Sequence, residues 1–293
     1  MARRGKIRVG VSGWTYSPWR GAFFPRGLPQ RDELAFAARH FSSIEINGTF
    51  YRLQRPESFA RWAQAVPPGF VFAVKGSRYI SHMLRAGAID TALANFFASG
   101  LLRLGPALGP LLWQFPARFH FDPARMERFL ARLPRDTEAA AQLARHHDSR
   151  LAGHAWTETD ARRPLRHAVE IRHESFAVPA FIDLLRAHGV ALVCADTVDW
   201  PRLMDVTADF IYCRLHGSQE LYRSGYDRTA LRAWADRARL WAAGRTPGDG
   251  RLAGQRRAPV RRRDVFVYFD NTDKMRAPGD AQALMRRLAD ATG

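Results

Sequence analysis

The sequence predicts an α/β fold, a single-domain (β/α)8 barrel spanning 1–293, and three observations carry that reading. Eight short apolar runs recur along the chain, at 7–14, 43–47, 70–77, 110–116, 168–173, 191–196, 210–216 and 265–271. Each run stops at polar or charged residues, and most are separated by stretches of helical periodicity. Strands that alternate with helices build a parallel sheet, and eight such units close into a barrel. The length of 293 residues suits one such domain, which typically takes about 250.

The elements follow in order. The first run opens into a loop crowded with aromatics, Trp14, Tyr16, Trp19, Phe23 and Phe24. Helical spacing covers 31–40, and the second run leads into Glu45-Ile46-Asn47-Gly48-Thr49-Phe50-Tyr51. A helix is expected over 56–65, because Pro56 at its start lacks only an N–H that would have no helical partner. Another follows the third strand over 91–102. Asp122-Pro123, a cap followed by proline, opens a helix over 124–133. Residues 137–144 form a further helix inside an insertion, around 135–166, that precedes the fifth strand. The helix over 179–188 stops at Gly189, a residue suited to the left-handed position past a helix end. Helices over 227–243 and 280–291 complete the chain. Between them, 244–263 lacks periodicity and carries Arg256, Arg257, Arg261, Arg262 and Arg263. This basic loop runs from a helix into the eighth strand, so it is expected on the barrel's N-terminal face as a solvated loop.

Composition narrows the function classes. Apolar residues make up 46% of the chain, enough for a sizeable core. The basic N-terminal stretch lacks the apolar segment of a secretory signal, and no apolar run is long enough to span a bilayer. The expectation is a soluble, cytoplasmic protein with no membrane partner. Cys194 and Cys213, each inside an apolar run, read as buried reduced thiols and exclude a cysteine-based zinc site. The formal charge of +17 points to an anionic partner, either a small molecule or a nucleic acid. Only Lys6, Lys75 and Lys274 are lysines; all other basic side chains except the histidines are arginines. Biased genome composition explains that skew, but not the shortage of acids. No pattern in the chain fixes an oligomeric state.

Alternation along the strands sorts inward residues from outward ones. Glu45 and Asn47 share a face opposite Ile44 and Ile46, and Glu170 and Arg172 oppose Val169 and Ile171. Tyr212, Arg214 and His216 oppose Ile211, Cys213 and Leu215. Lys75, Gln114 and Asp270 continue the polar set, with Asn271 and Thr272 following. Helices cover the outside of such a sheet, so the polar face points into the barrel, at the C-terminal strand ends. Three carboxylates (Glu45, Glu170, Asp270) then face three fixed cations (Lys75, Arg172, Arg214), and His216 titrates nearest neutrality. Buried charges need partners, so this set either neutralises itself as a rim network or engages a ligand. Barrel interiors are ordinarily filled by branched apolar side chains, which favours the ligand.

Two chemistries fit. In one, Arg172, Arg214 and Lys75 clamp a phosphate or carboxylate while Glu45 or Glu170 acts as base and His216 as acid. In the other, the carboxylates and His216 hold a divalent metal that activates water. The neighbouring cations and the lack of an HxxxH or HExxH pair weigh against the metal, and no cofactor is expected. His146, His147 and His154 read as surface residues of the insertion. His82 follows the third strand and is placed to overhang the mouth. Trp14, Tyr16, Trp19, Phe50 and Tyr51 would stack on a base or sugar, or pack as an apolar lid. Glycine-rich phosphate fingerprints and GxSxG elbows are absent. The candidate catalytic residues are Glu45, Glu170, His216 and Asp270. The candidate binding residues are Trp14, Asn47, Tyr51, Lys75, His82, Gln114, Arg172, Arg214 and Asn271.

At these residues the chain resembles the DUF72, or YecE-like, family. The matching motifs are Val11-Ser12-Gly13-Trp14 with Tyr16 and Trp19, Glu45-Ile46-Asn47-Gly48-Thr49-Phe50-Tyr51, and Phe72-Ala73-Val74-Lys75 with Ser81-His82. Further matches are Leu112-Trp113-Gln114-Phe115-Pro116, Ala168-Val169-Glu170-Ile171-Arg172-His173, Arg214-Leu215-His216-Gly217 and Tyr268-Phe269-Asp270-Asn271-Thr272. The resemblance covers nearly the whole chain and implies a TIM barrel. The family has no established reaction. The likeness of its barrel to endonuclease IV and xylose isomerase-like folds implies nucleic-acid processing by analogy only. Family members often carry Asn-Asn where this chain has Asp270-Asn271, and the histidine-rich metal pattern of endonuclease IV is missing. The leading expectation is an enzyme acting on a phosphoester or nucleic-acid component. The alternatives are a non-catalytic nucleic-acid-binding module and a sugar isomerase or epimerase.

Overall fold

A period of two runs through the apolar segments and gives each strand two different faces. Val9, Val11, Ile44, Ile46, Phe72, Val74, Ile211, Cys213 and Leu215 all join the large core on the helix side of the sheet. Their alternates Ala73, Tyr212 and others form a second, smaller cluster inside it. In the computed structural model, which describes residues 5–82, 89–217, 219–271 and 275–290, eight strands result. They are β1 (Ile7–Ser12), β2 (Ser43–Ile46), β3 (Val71–Lys75), β4 (Leu108–Gln114), β5 (His167–Glu170), β6 (Ala191–Asp196), β7 (Phe210–Leu215) and β8 (Asp264–Phe269). Neighbours are parallel in sequence order, and β1 pairs with β8, so the sheet closes as a (β/α)8 TIM barrel. Register sets Ser12 beside Glu45 and Arg214 beside Tyr268, which lines up polar side chains at one height. Below them the interior is filled by Ala73, Leu112, Ala168, Val193, Phe210, Phe266 and other apolar residues.

The helices are α1 (Glu33–His40), α2 (Gly48–Tyr51), α3 (Pro56–Gln64), α4 (Arg78–His82), α5 (Ile89–Ala98), α6 (Pro123–Ala131), α7 (Thr137–Ala144), α8 (Pro179–Ala187), α9 (Arg228–Ala242) and α10 (Arg276–Asp290). Asp122 caps α6 as expected, its carboxylate accepting from the Arg125 N–H at 3.0 Å. The helix expected over 91–102 instead ends at Ala98, since Gly100 (φ 106°) turns the chain into a 3-10 segment, Leu101–Ala107. Helices α2 and α4 have too few residues to show a period, and the sequence gives no sign of them.

The insertion before β5 packs on the outside of the barrel. There the Trp156 N–H donates to the Ala98 carbonyl at 2.8 Å, and the Arg103 guanidinium lies 4.4 Å from the Trp156 ring centre. Arg263 leaves the basic loop for the interior and donates to the Ala208, Arg261 and Pro259 carbonyls. Arg261 and Arg262 line a cleft of about 420 Å³ near the strand N-termini with Lys6, Arg8, Arg166, Asp209 and Asp264. Cys194 and Cys213 are free, buried and side by side on β6 and β7. No described helix is long and apolar enough to cross a membrane. Thr272 lies outside the described residues.

Candidate functional site

Arg214, on the inward face near the end of β7, is the centre of the barrel mouth and is fully buried. Its Nε donates to Glu45 Oε2 (3.1 Å), its Nη1 to Glu170 Oε2 (2.7 Å), and its Nη2 to Glu45 Oε1 (2.9 Å) and Asp270 Oδ2 (2.7 Å). Strands β2 and β5 and the residue just past β8 thus each supply one carboxylate to one guanidinium. Burial opposes the charge on Arg214, but Asp270, Glu170 and Glu45 keep it firmly protonated.

The carboxylates are further engaged. Glu45 Oε2 accepts from the Tyr212 hydroxyl at 2.6 Å, and Oε1 accepts from Ser12 Oγ. Glu45 therefore receives donors on both oxygens and is wholly enclosed. Glu170 Oε1 accepts from Arg172 Nε at 2.9 Å. Burial would raise the pKa of Glu170, but Arg214, Arg172 and His216 hold it well below the usual carboxylate range. Asp270 behaves alike: burial works against ionisation, while Arg214 and His216 overcome it. His216 sits between them, Nδ1 3.2 Å from Asp270 Oδ2 and Nε2 3.5 Å from Glu170 Oε2. Trp200 and Tyr222 pack edge-on against its ring at 5.5 and 5.4 Å.

Two cations lie toward the opening. Arg172 Cζ stands 4.2 Å from the Trp200 ring centre; its Nε and Nη2 bond Glu170, and among the described residues Nη1 has no hydrogen-bond partner. Lys75 Nζ lies 4.1 Å from the Phe50 ring centre and, among the described residues, has no carboxylate within 4.0 Å. Burial, then Arg214, lower the Lys75 pKa to about 8, against the raising effect of Asp270, Glu45 and Glu170.

Of the residues singled out by sequence, Glu45, Glu170, Arg172, Arg214, His216 and Asp270 form one bonded array. Asn47 joins it by donating to Ser12 Oγ at 2.7 Å, and Lys75 and Gln114 are buried at neighbouring strand ends. His82 packs on Phe50 at 5.3 Å, and burial, then Arg118 and Lys75, lower its pKa to about 4. Trp14 instead packs against Trp62 and Phe72 on the helix side of the sheet. Tyr51 is 66% exposed and lines a separate cavity of about 400 Å³ with Ser77, Tyr79, Asn95 and Arg150. Asn271 turns toward α10 and donates to Asp280 Oδ2 at 2.8 Å.

Sequence reading passed over Ser12 as a site residue, although its alternation with Val9 and Val11 places it inward. Tyr16, one of the aromatics expected to stack on a ligand or form a lid, instead donates to the Ser12 carbonyl at 2.7 Å. Trp200 and Tyr222 come from loops, where no periodicity marks them. Among the described residues, no group of three or more His, Cys, Asp or Glu is placed to hold a metal ion. The carboxylates and His216 converge on the Arg214 guanidinium, which fills the centre.

The fold and site define a (β/α)8 barrel protein with a buried, arginine-centred carboxylate array at its C-terminal mouth. A family model described as "Protein of unknown function DUF72" matches residues 8–293, and the chain belongs to that family. It is 30% identical over 113 residues to the UPF0759 protein YecE of Escherichia coli K12, a match covering 39% of each protein. The match thus spans well under two thirds of that curated relative. Two solved structures resemble the whole chain. A DUF72 family protein of Thermotoga maritima MSB8 has a TM-score of 0.69 at 21% identity, covering 97% of this chain and 99% of that one. One from Enterococcus faecalis V583 has a TM-score of 0.68 at 18% identity, covering 97% and 95%. At such identities the likeness establishes the fold alone.

Proposed function

We propose that this protein is an enzyme performing acid–base chemistry on a small anionic substrate, such as a phosphoester or nucleic-acid component, at the barrel mouth. The supporting observation is the uneven use of charge. Every guanidinium nitrogen of Arg214 is bonded to a carboxylate, which makes Arg214 a positioning group. Glu45 and Glu170, enclosed and bonded on both oxygens, share that role. Substrate contact falls instead to the groups with capacity left, Arg172 Nη1, Lys75 and Asp270 Oδ1, none with a hydrogen-bond partner among the described residues. Arg172 binds the anion, and Asp270 with His216 moves the proton.

Calorimetric titration with inorganic phosphate and nucleoside monophosphates at low salt tests this reading. Wild type is expected to bind, Arg172→Met about tenfold or more weakly, and Asp270→Asn to bind without turnover. Lack of binding by wild type, or binding unaltered in Arg172→Met, would overturn it.

A second reading, nucleic-acid binding without catalysis, draws on the cleft at the opposite end, where Lys6, Arg8, Arg166, Arg261 and Arg262 outnumber Asp209 and Asp264. It predicts oligonucleotide affinity that falls steeply with salt, weakens in Arg261→Glu and ignores Arg172→Met.

A further inference from the structure

Among the described residues, Lys75 is a cation of the barrel mouth that the carboxylates of the array leave unpaired. It is the last residue of β3, its side chain is directed into the barrel, and it is 6% exposed. Its main chain is pinned, because Thr49 Oγ1 donates to the Lys75 carbonyl at 2.6 Å. Its amine rests on an aromatic ring at 4.1 Å. Three carboxylates stand in the same mouth, yet all three bond arginines, and none comes within ion-pair distance of Lys75. A lysine serving only as a counter-charge would take one of them. Scarce water and a neighbouring guanidinium are the surroundings that leave an amine unprotonated and nucleophilic, and they outweigh the pull of the ring on the ammonium form.

We propose that Lys75 is a nucleophile that forms a Schiff base with a small anionic carbonyl compound, a phosphorylated or carboxylated aldehyde or ketone whose anionic group lies on Arg172. This inference rests on the reading of the mouth as an enzyme site for anionic substrates and narrows the substrate class. The neutral amine donates its lone pair to the carbonyl carbon, forming the C–N bond, and the C=O π pair moves to oxygen, which takes up a proton. Nitrogen then loses a proton, and the hydroxyl leaves as water after a second protonation. The balance is amine plus carbonyl plus one proton giving iminium plus water. Asp270 and His216, 3.2 Å apart within the array, serve as the proton relay, and Arg214 and Arg172 offset the charge of the bound anion.

The groups acting on Lys75 are Arg214 from β7, Glu45 from β2, Glu170 from β5 and Asp270 beyond β8, with His82 of α4 also within its field. Burial, then Arg214, lower its pKa to about 8 against the raising effect of the three carboxylates, so a sizeable fraction is neutral amine in mildly alkaline buffer.

Reductive trapping tests the proposal on the full chain. The protein is incubated with glyoxylate, pyruvate or glyceraldehyde 3-phosphate and sodium cyanoborohydride, then read by intact mass and peptide mapping. With only Lys6, Lys75 and Lys274 present, assignment is direct. Expected is a single main adduct on Lys75, formed roughly tenfold or more faster than on Lys6 at pH 7. Its rate should rise with a midpoint near pH 8, fall when inorganic phosphate competes, and exceed that for propionaldehyde. Lys75→Arg, with an unchanged thermal midpoint, should lose this adduct. Equal labelling of Lys6 and Lys75 would overturn the proposal, as would phosphate binding with no adduct on Lys75. In that last case the anionic-substrate reading survives, whereas loss of phosphate binding in wild type removes both.

Discussion

Arg214 is the residue on which the mouth depends. Removing its guanidinium would leave Glu45 and Asp270 buried without their guanidinium partner and Glu170 with Arg172 alone. Breaking a buried ion pair from one side ordinarily costs about 3–5 kcal/mol, so Arg214→Met should lower unfolding free energy by at least that much in urea titrations. A loss under about 1 kcal/mol would contradict the central role given to it. Tyr212→Phe removes one donor from Glu45 Oε2 and should cost about 1–3 kcal/mol by the same measurement. The array was largely legible in the sequence, because Glu45, Glu170, Arg172, Arg214 and Asp270 occupy alternating positions of apolar strands or continue them. Tyr51 was not. It follows Asn47 in a contiguous motif, but α2 rotates it out to solvent. Trp200 and Tyr222 reach His216 from loops, and loops carry no period from which direction can be read.

At the scale of elements, the strands depend on close approach as much as on apolar pattern. Gly10 pairs with Ser43 across β1 and β2, and a Cβ there would collide with the Ser43 carbonyl oxygen. Gly10→Ala should therefore destabilise by about 1–3 kcal/mol despite adding a residue of small volume, as overpacking does. Thermal denaturation reads this, and an unchanged midpoint would mean that β1 and β2 separate freely. The α6 cap is a milder case. Asp122→Ala should cost about 0.5–2 kcal/mol, and Asp122→Asn much less, because the amide oxygen still accepts from the Arg125 N–H. Strand and helix order could be read from periodicity, but the ends of elements could not. The early stop of α5 is set by the backbone at Gly100 and by what packs around it.

For the whole molecule, stability should depend on pH in a stated direction. His167 is buried; its Nδ1 accepts from Trp113 Nε1 at 3.1 Å, and its Nε2 donates to the Pro134 carbonyl at 2.8 Å. Burial lowers its pKa to about 4. The unfolded chain takes up this proton near 6.5, the ordinary histidine value, and the folded protein refuses it until about 4, so stability is full above 6.5 and falls between those limits. The loss amounts to about 3 kcal/mol at one site. Glu170 and Asp270, also with lowered pKa values, extend the decline at lower pH, where their unfolded counterparts protonate first. Urea titrations from pH 8 to pH 4 should show this slope, and His167→Gln should flatten its upper part. A flat profile would mean that His167 titrates as though exposed.

The sequence alone determined the eight strand–helix units, their closure into one domain, and the inward polar face. Each follows from local periodicity and the two sides of a pleated strand. Which charges pair with which was decided only by the tertiary structure. Shear and register bring Ser12, Glu45, Glu170 and Arg214 to one height from four strands, with Asp270 just past a fifth, and a one-residue shift in any of them would turn a partner away. The same closure commits the arginines to carboxylates and leaves Lys75 on an aromatic ring, because the packing of distant segments sets the distances between charges.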